Sequence, residues 1–168
     1  MKTKNQTGSS IDKLIPERSY GRSLPMLLMY SREVVMRRIR PHLRNHGLTD
    51  QQWRVLRALA EEEQLELLVL GQRCLIRPPS LSRIVSALIE RGLVRRVVHP
   101  EDRRRVLISL TDKGRMLFEE VSHGSALIYE QLSRDIGEET LEEIYRVLIN
   151  LIEVLEEGES ASAPDEDI

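Results

Sequence analysis

Arg83, Arg91, Arg95, Arg96, Arg103, Arg104 and Arg105 fall within one stretch from Pro78 to Thr111, PPSLSRIVSALIERGLVRRVVHPEDRRRVLISLT, together with Ser80, Ser82 and Ser86. Guanidinium forks pair with phosphate oxygens and base edges, and hydroxyls reach the same atoms. A narrow minor groove concentrates negative potential and favours arginine. The order within the stretch gives these groups a shape. Ser80 to Arg91 has helical character, whereas Leu93 to Leu110 has strand character interrupted by HPEDRRR. A short helix followed by a two-stranded hairpin with a cationic tip fits a DNA duplex, the helix in the major groove and the tip beside it. The bland alternative is a solvated loop tip, with Arg83 paired to Glu90 or Asp102 and Arg91, Arg95 and Arg96 as ordinary hairpin charge. One of these last three is expected to touch phosphate.

Other chemistry has less support. The chain has no Gly-rich phosphate loop, H-E-x-x-H or G-x-S-x-G, which argues against an enzyme. His42 and His46 stand at i, i+4, a spacing that can hold a metal, but no cysteine or further histidine is near them in sequence. Cys74 is the single cysteine, so an intramolecular disulfide is excluded, and its neighbours Leu75 and Ile76 favour a packed, inert thiol. No cofactor is expected.

Composition sets the frame for these groups. A chain of 168 residues, 40% hydrophobic and 31% charged, is long enough for one domain with a proper core. A net charge of -2 would argue against nucleic acid, but the signs are segregated. Between residues 91 and 105 the arginines face only Glu101 and Asp102, while every charged residue from Glu153 onward is acidic. The local patch, not the total, sets the phosphate-binding footprint. With no signal pattern and no apolar run of about 20 residues, the expected location is cytoplasmic, with no membrane contact.

The elements that must position the arginines follow from periodicity and capping. Residues 1–20 read as a flexible arm. Leu24, Leu27, Leu28, Ser31, Val34 and Val35 predict a first helix with Ser23 as N-cap, interrupted by Pro41 and ended by Gly47. Thr49 with Gln52 predicts a capping box opening a second helix through Trp53, Leu56, Leu59 and Ala60, whose end at Glu61 to Glu63 faces water. A third helix from about Glu66 to Cys74 and a fourth opening at Pro79 and stopping at Gly92 make a helix-turn-helix. Val94, Val97 and Val98 should pair with Val106, Ile108 and Leu110 as the wing. Thr111 opens a fifth helix, loosened at Gly124, and Glu138 to Glu157 forms a sixth with Leu141, Ile144, Tyr145, Leu148, Leu151, Ile152 and Leu155 on one face. The tail is expected to be disordered. The fold class is therefore mainly α with a small β-hairpin wing: a winged helix-turn-helix domain at 48–111, a helical dimerisation region at 21–47 and 112–157, and an acidic tail at 158–168.

At LTDQQWRVLRAL, RPPSLSRIVSALIERGLVRR and DRRRVLISLTDKG the chain resembles the MarR family of winged-helix transcriptional regulators, over about Ser23 to Leu155. LTDQQWRVLR and RCLIRPPSLSRIV are similar to regulators of homoprotocatechuate (4-hydroxyphenylacetate) catabolic operons. The resemblance implies a homodimeric repressor of double-stranded DNA, released by a small aromatic acid. Asp102 and Arg104 match the family's wing pair, in which the arginine enters the minor groove and the aspartate orients it. Ser80, Ser82, Arg83 and Ser86 match the recognition-helix face, and Arg103 and Arg105 are further cations assigned to phosphate or the same groove.

The resemblance also implies an effector pocket where the dimerisation helices meet the winged domain. An acidic effector needs a cation there. Arg32, Arg40 and Arg73 are candidates, with Ser31 or His42 as hydrogen-bonding neighbours, and Trp53, the only tryptophan, as core or pocket wall. Each has a bland surface or core reading. The alternatives are a redox- or metal-responsive regulator of the same fold, and a helical protein-interaction module that does not bind DNA.

Overall fold

The structure, a computed structural model, describes residues 23–98 and 105–162. The expected N-terminal arm, Asp102, Arg103 and Arg104 of the wing tip, and the end of the acidic tail lie outside the described residues. The elements run α1 (Leu24–Asn45), α2 (Asp50–Glu61), β1 (Leu65–Glu66), α3 (Leu67–Cys74), α4 (Pro78–Glu90), β2 (Val94–Val98), β3 (Val106–Leu110), α5 (Asp112–Ile136) and α6 (Glu138–Ser162). They fall into two compact units divided within α5, one ending at Ser122 and the other beginning at His123.

In the first unit, three helices end in the same way. The N–H of Leu48 bonds the carbonyl of Leu43, that of Ile76 bonds Gly71, and that of Leu93 bonds Leu88, each beside a bond from the preceding residue to the carbonyl three positions back. These are Schellman ends, which need a left-handed residue just past the helix. Gly47 at φ 65° and Gly92 at φ 68° supply it after α1 and α4, but after α3 it is Leu75 at φ 50°. Leu75 is 86% exposed, so its side chain gains little from packing in return for the strained backbone.

At the other helix ends, side chains do the capping. Thr49 accepts from the N–H of Gln52 at 3.2 Å while the Gln52 side chain accepts from the N–H of Thr49 at 3.0 Å, the expected capping box. Thr111 accepts from the N–H of Gly114 at 3.0 Å and donates its hydroxyl to the Gly92 carbonyl at 2.6 Å, joining the start of α5 to the end of α4. Ser23 sits at the N-cap position of α1 but makes no side-chain cap bond.

The core of this unit is aliphatic. Leu43, Val55, Leu56, Leu59, Leu70, Leu81, Val85, Leu88, Leu93, Val94 and Ile108 are all essentially inaccessible. Beside them lies a three-stranded antiparallel sheet in the order β1-β3-β2. Val94 pairs with Leu110 and Val98 with Val106, as expected, whereas Val97 meets Leu107 and Ile108 faces Arg96. The added strand β1 was not legible: two residues, Leu65 opposite Ile108 and Glu66 opposite Leu107, are too short to show a period.

Two local expectations differ from the structure. Pro41 does not interrupt α1, which runs unbroken from Leu24 to Asn45. Pro41 and Arg37, one turn before it, are both exposed, so the carbonyl that loses its partner is open to water. The last helix continues past Glu157 to Ser162, since Gly158 alone does not stop it and the next proline is Pro164. In the second unit, α6 leaves Ile144, Tyr145, Val147, Ile149, Ile152, Val154 and Leu155 exposed. Its polar positions between them, Arg146, Asn150 and Glu153, fall on one narrow stripe.

Candidate nucleic-acid interface

The site is built from α4 outward. Pro78 and Pro79 occupy its first turn, where missing N–H groups cost nothing, and Leu81, Val85 and Leu88 form its buried side. The spacing of that side fixes the other: Ser80, Ser82, Arg83 and Ser86 are all exposed. Arg83 pairs with neither Glu90 nor any other acid among the described residues, so its guanidinium is available. Gly71 of α3 allows the close approach of the two helices. A Cβ there would stand 3.2 Å from both the Ile76 carbonyl oxygen and the Leu81 side chain.

The arginines after α4 separate into different settings. Arg91 donates to the Gly47 carbonyl at 2.8 Å and to the His46 carbonyl at 3.4 Å, and so ties the end of α4 to the α1–α2 corner. Lys113 donates to the Arg91 carbonyl at 2.9 Å. Arg95 donates to its cross-strand partner Ser109 at 3.1 Å, and Arg96 on the next position is exposed. Arg105 donates through Nε and Nη2 to Oε1 of Glu66, the Nε bond being 2.8 Å.

A second cluster of cations lies between α1 and α2. A cavity of about 440 Å³ is lined by Arg32, Arg40, Arg44 and Arg54 with Leu48, Thr49, Asp50 and Gln51. Arg40 bonds Asp50 at 2.9 Å and Glu33 at 2.7 Å, and Arg32 stands 4.0 Å from Asp50. These bonds hold the Arg40 guanidinium well above its ordinary value, and the same hydrogen bond holds the Glu33 carboxyl below the usual range. Arg54 donates Nη1 to the Cys74 carbonyl, yet its buried Nε has no partner among the described residues. Of the expected effector residues, this cavity gathers Arg32 and Arg40 but not Ser31, His42, Trp53 or Arg73. Arg44 and Arg54 were missed. Their only sequence signal is their placement on either side of the α1–α2 corner.

The remaining candidates have neighbours of their own. Ser31 is exposed on α1. His42 donates Nε2–H to the Val121 carbonyl at 2.9 Å, and His46 donates Nδ1–H to the His42 carbonyl at 3.0 Å with its Nε2 3.4 Å from Glu120. Trp53 is buried and stacks on Phe118 with ring centroids 5.4 Å apart. Arg73 pairs with Glu62 at 2.8 Å on the surface.

Comparison with known proteins bears on what such an arrangement does. A model described as MarR family matches residues 46–105. The chain is 35% identical over 127 residues to the HTH-type transcriptional regulator FarR of Neisseria gonorrhoeae, covering 76% of this chain and 87% of that protein. It is 33% identical over 130 residues to the homoprotocatechuate degradative operon repressor of Escherichia coli, covering 77% and 88%. Among solved structures it is similar to NadR in complex with 4-hydroxyphenylacetate, with a TM-score of 0.70, 34% identity, and coverage of 82% of this chain and 97% of that one.

Proposed function

This chain belongs to the MarR family of winged-helix transcriptional regulators, and from that premise we propose a homodimeric repressor that binds a pseudo-palindromic operator and is released by a small aromatic acid. It is a DNA-binding transcriptional regulator and not an enzyme. The observation that carries the DNA reading is the division of α4, with Leu81, Val85 and Leu88 inward and Ser80, Ser82, Arg83 and Ser86 outward. The outward face enters the major groove. Asp102 and Arg104 address the minor groove, and Arg103 lies beside them on phosphate.

Exposed apolar residues support the dimer: Leu24, Leu27, Leu28 and Val34 on α1, and Ile144, Ile152 and Leu155 on α6. A two-fold axis would set the two α4 helices about one DNA turn, ~34 Å, apart. The arginine-lined cavity supports an anionic effector, and the relative solved with 4-hydroxyphenylacetate supports an aromatic one. Its carboxylate would meet Arg32 and Arg40, with Ser31, His42, Trp53 and Arg73 as the remaining candidate set. Release follows if the effector binds the state unsuited to the operator more tightly, by that difference in affinity.

A gel shift on the promoter region beside the chain's own coding sequence, repeated with hydroxylated phenylacetates and benzoates, tests both halves. Arg104→Ala is expected to abolish specific binding and flatten its salt dependence. Unchanged operator affinity would reject the wing assignment, and no shift at low salt would favour a protein-interaction module.

A further inference from the structure

Glu66 is in an unusual place for its length. It stands at the N-cap position of α3, where a short Ser, Thr, Asp or Asn side chain normally folds back onto the helix N–H groups, and it makes no such bond. Its carboxylate turns instead to Arg105, accepting two hydrogen bonds on one oxygen. The sheet register explains the meeting. Glu66 lies opposite Leu107 in the β1–β3 pair, so Arg105, two residues before Leu107, is its diagonal neighbour on the same face. Both side chains are partly shielded, at 32% exposure for Glu66 and 48% for Arg105.

Two consequences follow for the three consecutive arginines 103 to 105. The charge on Arg105 is already answered within the protein, and a phosphate would have to displace a carboxylate that holds it by two charge-assisted bonds. The pair also joins the outgoing arm of the hairpin, at the residue next to Arg104, to the first residue before α3. Helix α3 packs on α4 through Gly71. Resting on the DNA-binding reading above, we propose that Glu66 and Arg105 are positioning residues that fix the wing relative to the recognition helix, and that Arg105 does not itself contact phosphate. The wing's groove contacts then belong to the residues before it.

The full-length protein and the duplex it enriches from a random-sequence pool provide the test, with affinity followed by fluorescence anisotropy across a salt series. Glu66→Gln and Arg105→Gln are each expected to weaken binding about fivefold. The slope of log affinity against log salt is expected to stay that of the wild type, because no phosphate contact is lost. Glu66→Arg combined with Arg105→Glu restores the pair in reverse and is expected to recover most of the affinity. A slope shallower by about 0.9 for Arg105→Gln would make Arg105 a phosphate ligand and overturn the proposal. So would tighter binding by Glu66→Gln, no effect of either single change, or a reversed pair that binds worse than both. Should the wild type enrich no duplex at all, the DNA reading fails and this one with it. Thermal unfolding of each variant separates lost positioning from lost folding.

Discussion

Cys74 shows how one residue's surroundings decide its chemistry. It is 2% exposed at the end of α3, and burial pushes its thiol above the ordinary value of 9.0, against a smaller opposing effect of Arg54. A thiol that resists ionisation is a poor nucleophile. Native Cys74 is therefore expected to react with iodoacetamide at pH 8 at least about tenfold more slowly than in the urea-unfolded chain, and equal rates would contradict its packing. The sign for stability follows from the same shift. The unfolded chain loses this proton at lower pH than the folded one, so the contribution is fully present below the unfolded pKa and declines as pH rises through it. The apolar neighbours Leu75 and Ile76 foretold a packed thiol, and the burial of Trp53 agrees with one of the two readings open to it, core or pocket wall. The sequence did not foretell Glu66, since a single glutamate before a helix carries no mark of an arginine 39 residues later.

At the level of elements, helix ends were the most legible features, because capping residues act locally. Thr49 with Gln52, Gly47 and Gly92 all do what their types suggest. Leu75 does not advertise itself, because leucine is not a left-handed residue by preference. Leu75→Asn is expected to raise stability by about 1 kcal/mol, measured by urea unfolding, as asparagine tolerates that conformation and the lost side chain was exposed. Gly114 behaves in the opposite way. A Cβ there would lie 1.9 Å from the Leu93 carbonyl oxygen, so Gly114→Ala forces the start of α5 away from the residue that leads into β2. It is expected to cost about 3 kcal/mol, visible as a lowered denaturation midpoint, and a neutral result would mean that this junction yields easily. The contact joins residues 21 apart, which no local pattern reveals.

For the whole molecule, the fold class was readable because the helices and the hairpin carry clear periods, even where an end signal is weak, as after α3, or misleading, as in α6. The candidate site was readable only in part. Side chains on α4 sort themselves by the helical period, whereas the arginine-lined cavity depends on how α1 meets α2. Pairing of two chains is the property tested most directly. Ile152→Glu with Leu155→Glu should leave a monomer by light scattering, with operator affinity lowered at least about tenfold, and an unchanged mass would place the interface elsewhere. A final consequence comes from Arg91, whose guanidinium grips the two carbonyls at the corner after α1 while Thr111 and Lys113 hold the adjoining turn. The far end of α4 is thus tied to the corner that follows the first helix. The last turn of α4 therefore cannot shift from that corner without breaking these bonds.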